Sequence, residues 1–175
     1  APSMRAEIDE AAAAARELVA EWGPEVDDSQ PKRLARAIEG RIPVVYGGRT
    51  TTAAARRWRS QLNENAKLPA FFGDLPEAHH NEVVGWHHAD EVLLGIVLEG
   101  PDEHERMARR FDVTAEVMSA AGFEALRVES QGQSPTARLM SLVLLGDLVS
   151  VYLAVLRGID PTPVEEIEAL KARLG

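Results

Sequence analysis

Residues 61–86 read QLNENAKLPAFFGDLPEAHHNEVVGW. Glu64 stands between Asn63 and Asn65, Lys67 follows, and His79 and His80 lie side by side. These are side chains of proton transfer: a carboxylate takes and returns a proton, and an imidazole does so near neutrality. Glu64 falls near the end of a helix expected over residues 50–66, where the partial negative charge of the terminus favours proton uptake by a carboxylate. The plain alternative is a solvated glutamate on a helix face. On a helix expected over 76–86, His79 and His80 point about 100° apart, so only one of them faces a given cleft. A capping or surface histidine is the alternative for either. His87 and His88, with Glu82 and Asp90, add further donors. No His-x-x-x-His or His-Glu-x-x-His spacing occurs, so no metal centre is expected.

A second group of polar residues is YGGRTTTAAARR, residues 46–57, which places glycines and threonines between a strand and a helix. Such a turn can hold an anion at the helix N-terminus. It lacks the closing Gly-Lys-Ser/Thr of a Walker loop, and an ordinary strand-to-helix turn is the favoured reading. Arg56, Arg57 and Arg59 read as a solvated, ion-paired helix face. Lys67 reads as the complement of its own helix end.

The elements that must position these residues follow from pattern. Helix formers with apolar residues at helical spacing cover 4–22, and Gly23-Pro24 stops them. A short helix from Pro31 ends at Gly40. Apolar runs at 42–46, 70–72, 91–98 and 124–130 read as strands, and the helical segments between them indicate an α/β fold with a mainly parallel sheet covered on both faces. Ligands in such sheets bind at the carboxyl ends of the strands. Asp102 with Glu105 suggests a capping box opening a helix to about residue 121. Ser134-Pro135 opens a long apolar helix, and residues 164–174 form a last one. Residues 139–156 approach the length of a membrane span, but Asp147 in their middle favours a buried core helix.

Composition sets the outer bounds. The chain has 175 residues, no cysteine and a net charge of −9. One domain is expected, with no disulfide, and a reducing, cytoplasmic setting. The acidic balance disfavours nucleic acid and anionic membrane as partners. No basic segment followed by an apolar one opens the chain, so no signal peptide is expected.

The stretches QLNENAK, LPEAHHNEVVGW and GDLVSVYLAVLRGIDPTPVEEIEALKARL resemble the carboxyl-terminal half of the bifunctional phosphoglucose/phosphomannose isomerases. That family belongs to the phosphoglucose isomerase superfamily and is built from two sugar-isomerase (SIS) domains. The resemblance runs from residue 42 to the end. It implies a three-layer αβα sandwich, SIS-type and flavodoxin-like. It further implies aldose–ketose isomerisation of hexose 6-phosphates, glucose 6-phosphate or mannose 6-phosphate to fructose 6-phosphate, through a cis-enediol and without a cofactor. Glu64 matches the glutamate that moves a proton between C1 and C2. His80 matches the histidine that opens the sugar ring, reaching the site from the partner subunit of a homodimer. Lys171 matches the lysine that assists at the ring oxygen.

The family commonly has asparagine where this chain has His79, and no role is assigned to His79. The family's first domain carries a serine- and threonine-rich loop for the sugar phosphate. No such loop is found here, and SQGQSPT, residues 130–136, matches the second domain's own pattern. Residues 1–175 are therefore expected to be a single C-terminal SIS domain, with helices in 1–40 packing on an α/β core of 41–175. Its expected partners are a sugar phosphate, the N-terminal SIS domain of the same protein and a second copy, with the alanine-rich first helix partly at a contact surface. Alone it is expected to be nearly inactive; the competing class is a non-catalytic sugar-phosphate-binding or dimerisation domain.

Overall fold

The computed structural model describes residues 3–101 and 103–175. The apolar runs become four strands, β1 (Ile42–Gly48), β2 (Phe71–Leu75), β3 (Leu93–Glu99) and β4 (Ala125–Glu129). All pair in parallel, in the order β2-β1-β3-β4. Val45 sits opposite Ile96, and Ile96 opposite Leu126. Side chains alternate across the pleat: Val45, Ile96 and Val128 enter one apolar cluster, Tyr46 and Val97 the other. Both faces are covered, which is why the central strands read as continuous apolar runs rather than alternating ones.

The order of the strands dictates the layers. From β1 the chain moves outward to β2 through α3 (Thr52–Glu64), and from β3 it moves outward the other way to β4 through α5 (Glu105–Ala120). Right-handed crossovers running in opposite directions put their helices on opposite faces. Accordingly Ala54, Trp58 and Leu62 of α3 join one cluster, while Met107, Phe111 and Met118 of α5 join the other. The three-layer α/β sandwich is thus as expected.

On the α3 face the core is organised by α6 (Pro135–Leu156), which packs against α1 (Met4–Trp22), α2 (Gln30–Ile38) and α3. Ser134 caps it, its hydroxyl accepting from the Ala137 amide at 3.2 Å, and Pro135 opens its first turn. By length and composition α6 could cross a bilayer. Instead it is a core helix, and Asp147 receives a bidentate pair of hydrogen bonds from Arg57 of α3 at 2.9 and 2.8 Å. The pair accounts for the lone acid in the apolar segment.

Gly146 lies beside that pair, where α3 crosses α6. A Cβ there would stand 2.3 Å from Cδ1 and Nε1 of Trp58, which is fully buried and donates from Nε1 to the Leu142 carbonyl at 2.7 Å. Gly146→Ala must therefore displace Trp58 or part the helices. The expected loss is about 1–3 kcal/mol of stability, read as a lower denaturant midpoint at unchanged slope. An unchanged midpoint would show that the crossing has slack.

Two local expectations are corrected. The helix expected over 76–86 is broken into a 3₁₀ turn (Glu77–His80), a one-turn helix α4 (Glu82–Gly85) and a second 3₁₀ turn (Trp86–His88). Asn81 interrupts it at φ −147°, and its side chain accepts from the Glu82 amide at 2.6 Å, starting the new turn. Two valines and a glycine in α4 supply little intrinsic helicity to resist the break. The capping box at the head of α5 is also replaced: His104 is the cap, its Nδ1 accepting from the Arg106 amide at 3.1 Å, and Glu105 is the first helical residue. Asp102 lies outside the described residues. The last helix, α7 (Glu165–Leu174), forms as expected.

Candidate active site

The asparagines around Glu64 are both spent on structure. Asn63 donates to the Arg59 carbonyl at 2.6 Å and to the Ala70 carbonyl at 3.1 Å, tying the end of α3 to the entry of β2. Asn65 donates to Gln61 at 3.0 Å and to the Ser150 hydroxyl at 2.9 Å, tying the same end to α6. Beyond them Lys67 adopts a left-handed backbone, φ 49°, at a position usually given to glycine. Its ammonium donates to the carbonyls of Glu64 and Pro163, each at 2.6 Å, and of Pro161 at 3.3 Å. Lys67 thus complements its helix end, as expected, and also staples the Asp-Pro-Thr-Pro turn to it. Arg157 adds a bond to the Ala66 carbonyl at 2.5 Å.

This scaffold leaves the Glu64 side chain exposed and committed to no hydrogen bond within the helix end just described. It faces a cleft of about 460 Å³ lined by Ser60, Asn63, Glu64, Lys67, Val164 and Ile167, among others. The Arg57 guanidinium lies within electrostatic reach of it. The hydrogen bond to Asp147 is the main cause holding Arg57 above its ordinary value, and the charge of Glu64 is a smaller one. The cleft lies where α3 ends and β2 begins, at the amino end of that strand, not at the carboxyl ends where ligands were expected.

Lys171 is exposed on α7, four residues beyond Ile167, which places it on the same side of the helix. The cleft is lined by the start of α7 and not by Lys171 itself. His80 is elsewhere. It is exposed on the turn that follows β2, so Glu64 and His80 lie beyond opposite ends of a strand that alone spans about 13 Å. They also lie on opposite faces of the sheet, since the turn of His80 packs on α5. One chain therefore does not bring the two groups together. His79 turns inward, its Nε2 2.8 Å from the Thr114 hydroxyl. The two histidines do face different ways, as their adjacency required.

At the carboxyl ends of β1 and β3 a smaller cavity of about 200 Å³ is lined by Thr50, Thr51, Ser130, Arg138 and Leu142, among others. Its threonines are used internally. Thr51 donates to the Leu98 carbonyl at 2.8 Å and accepts from the Gly48 amide, while Thr50 bonds Glu103. Thr52 donates to Asp74 at 2.8 Å. The Thr51 side chain thus serves the turn from β1 into α3. At the head of α6, Glu10 of α1 accepts from the Gln133 and Ser134 amides at 3.0 and 3.1 Å and from the Ser134 hydroxyl. These bonds, the hydroxyl's first, hold the Glu10 carboxyl below the usual range.

The domain thus combines a strand order of β2-β1-β3-β4, helices split between two faces, and a glutamate set at a helix end by two structural asparagines. Residues 27–174 match the family described as the bacterial phosphoglucose isomerase C-terminal SIS domain. The chain belongs to that family. It is similar to the bifunctional phosphoglucose/phosphomannose isomerase of Aquifex aeolicus, 41% identical over 145 residues, covering 82% of this chain and 45% of the relative. It is similar to the protein of the same name from Caldicellulosiruptor bescii, 37% identical over 175 residues, covering 96% of this chain and 51% of the relative. The chain thus spans about half the length of these relatives. Its fold also resembles the crystal structure of a glucose-6-phosphate isomerase like protein from Thermus thermophilus, with a TM-score of 0.72 at 23% identity, covering 88% of this chain and 51% of that one. The SIS domain's hidden features are the partners of its signature. Asn65 meets Ser150, and Lys67 meets Pro163, across 85 and 96 residues of sequence. Only the flanking of a lone carboxylate by two amides hinted at them.

Proposed function

We propose that this SIS domain is the C-terminal half of an enzyme that interconverts hexose 6-phosphates, glucose 6-phosphate or mannose 6-phosphate with fructose 6-phosphate. The observation that carries the reading is the setting of Glu64: an exposed carboxylate, on a helix end immobilised by Asn63, Asn65 and Lys67, facing a cleft. A base held in one place against a substrate carbon is what proton transfer next to a carbonyl requires. Glu64 takes the proton from C2 of the aldose and returns it to C1 of the cis-enediol, while a proton passes from the C2 hydroxyl to the C1 oxygen. C1 is reduced as C2 is oxidised, so no external oxidant or cofactor enters. His80 opens the ring and Lys171 assists at the ring oxygen.

The separation of His80 from Glu64 supports a homodimer in which His80 serves the partner's cleft. The internal use of Thr50, Thr51 and Thr52 supports a phosphate anchor in another domain, the N-terminal SIS domain of the same protein. The lack of cysteine supports a cytoplasmic setting. The exposed apolar residues Ile167, Leu170 and Leu174 along α7 favour one second reading, a dimerisation or regulatory domain without catalysis. A coupled assay of the full-length protein separates the two. Conversion of fructose 6-phosphate to both aldose 6-phosphates is the expected result, and absence of turnover with either, in a folded protein, would leave the second reading.

A further inference from the structure

His79 has no part in that chemistry, yet its contacts are the most specific on the turn that carries His80. The buried Thr114 of α5 donates its single hydroxyl proton to the Arg110 carbonyl at 2.8 Å. The Thr114 oxygen can then only accept from His79, so Nε2, at 2.8 Å, carries the ring proton. Nδ1 is left with its lone pair, and the Arg110 guanidinium stands 3.3 Å from it as donor. Both ring nitrogens are matched, in one tautomer and in the neutral state. A second proton could go only on Nδ1, where it would break the bond to Arg110 and face a fixed cation.

We propose that His79 is a positioning residue for His80: clamped between Thr114 and Arg110, it fixes the 3₁₀ turn that presents His80 to the substrate. The turn is otherwise weakly tied, with backbone bonds of 3.0 Å from His79 to Pro76 and a long 3.4 Å from Asn81 to Ala78. Ala78 is buried in the adjacent core but is too small to fix an orientation. The clamp also answers to pH. The charged groups bearing on the ring are Arg110 from α5 and His80 from its own turn; burial first, then these two, hold His79 below its ordinary value of 6.5. The folded state thus favours the neutral ring. The clamp is whole above about pH 6.5 and weakens as pH falls through the lowered value.

The inference rests on the proposed role of His80, and its test separates the two. In the full-length enzyme His79→Leu keeps bulk but removes both bonds. It is expected to lower kcat on the ring-closed sugar by up to about 100-fold, with KM and turnover of the open-chain form little changed. His79→Gln, which restores the donor to Thr114 without a titrating ring, is expected to recover most of that loss and to flatten the acid side of the pH profile. Equal losses on both substrate forms, or none on either, would overturn the proposal. Should the leucine variant not fold, nitrogen NMR of the parent protein decides. A neutral ring protonated on Nε2 with titration below 6.5 is expected, and an Nδ1–H tautomer or ordinary titration refutes the clamp. That measurement needs no activity, so inactivity of the parent protein counts against the isomerase reading alone.

Discussion

Glu64→Gln in the full-length protein is expected to lower turnover at least about 10²–10⁴-fold while leaving substrate binding nearly intact. Glutamine keeps the length and hydrogen-bonding reach of glutamate but cannot accept a proton from carbon. The scaffold beneath it is unaffected: the bonds of Asn63, Asn65 and Lys67 use backbone carbonyls and the side chains of Gln61 and Ser150, not the Glu64 carboxylate. A loss of rate therefore reports the missing base and not a collapsed helix end. Steady-state rates and KM in a coupled assay decide it, and turnover at the parental rate would return the Asn-Glu-Asn box to a purely structural role.

The second large effect comes from mixing two variants that each turn over the ring-closed sugar poorly. His80 and Glu64 lie beyond opposite ends of β2 and on opposite faces of the sheet, so a site containing both must draw them from two chains. His80→Ala should slow the ring-closed sugar far more than the open-chain form. Combined with Glu64→Gln by joint refolding or co-expression, half of the dimers are mixed. Each mixed dimer holds one site with the parental Glu64 of one chain and the parental His80 of the other. Activity is expected to return to about a quarter of the parental level, from two variants that separately show little. If each chain used its own His80, every site in the mixture would lack one group, and no activity would return.

Much of the scaffold was legible because it obeys short-range rules. The runs at 42–46 and 91–98 became β1 and β3, central strands with both faces covered, so burial left an unbroken apolar signal, while 124–130 became the edge strand β4, with Arg127 and Glu129 exposed. The long apolar helix with its Ser134-Pro135 start was equally plain. What escaped depends on single residues or distant partners. Asn81 breaks one helix into three short pieces, and nothing in the surrounding pattern marks an asparagine as a cap rather than a helical residue. The second task of Lys67 was invisible because the carbonyls it binds lie more than ninety residues away. Glu64 and His80 were singled out by family resemblance. Their separation follows only from knowing that α3 and α5 cover different faces.

The staple at Lys67 gives α7 the mechanics of a lever. None of its residues is buried, and its base is pinned at the carbonyls of Pro161 and Pro163. Lys171 sits eight residues past the pivot, an arm of about 12 Å along a helix, so a swing of about 10° carries it about 2 Å. That is enough to make or break a hydrogen bond, and a misplacement of this size is costly to any group that must meet a substrate atom. Ile167, Leu170 and Leu174 run along the same side of the arm as Lys171 and are exposed. Any surface that seats that apolar edge would hold the arm still and fix where Lys171 points.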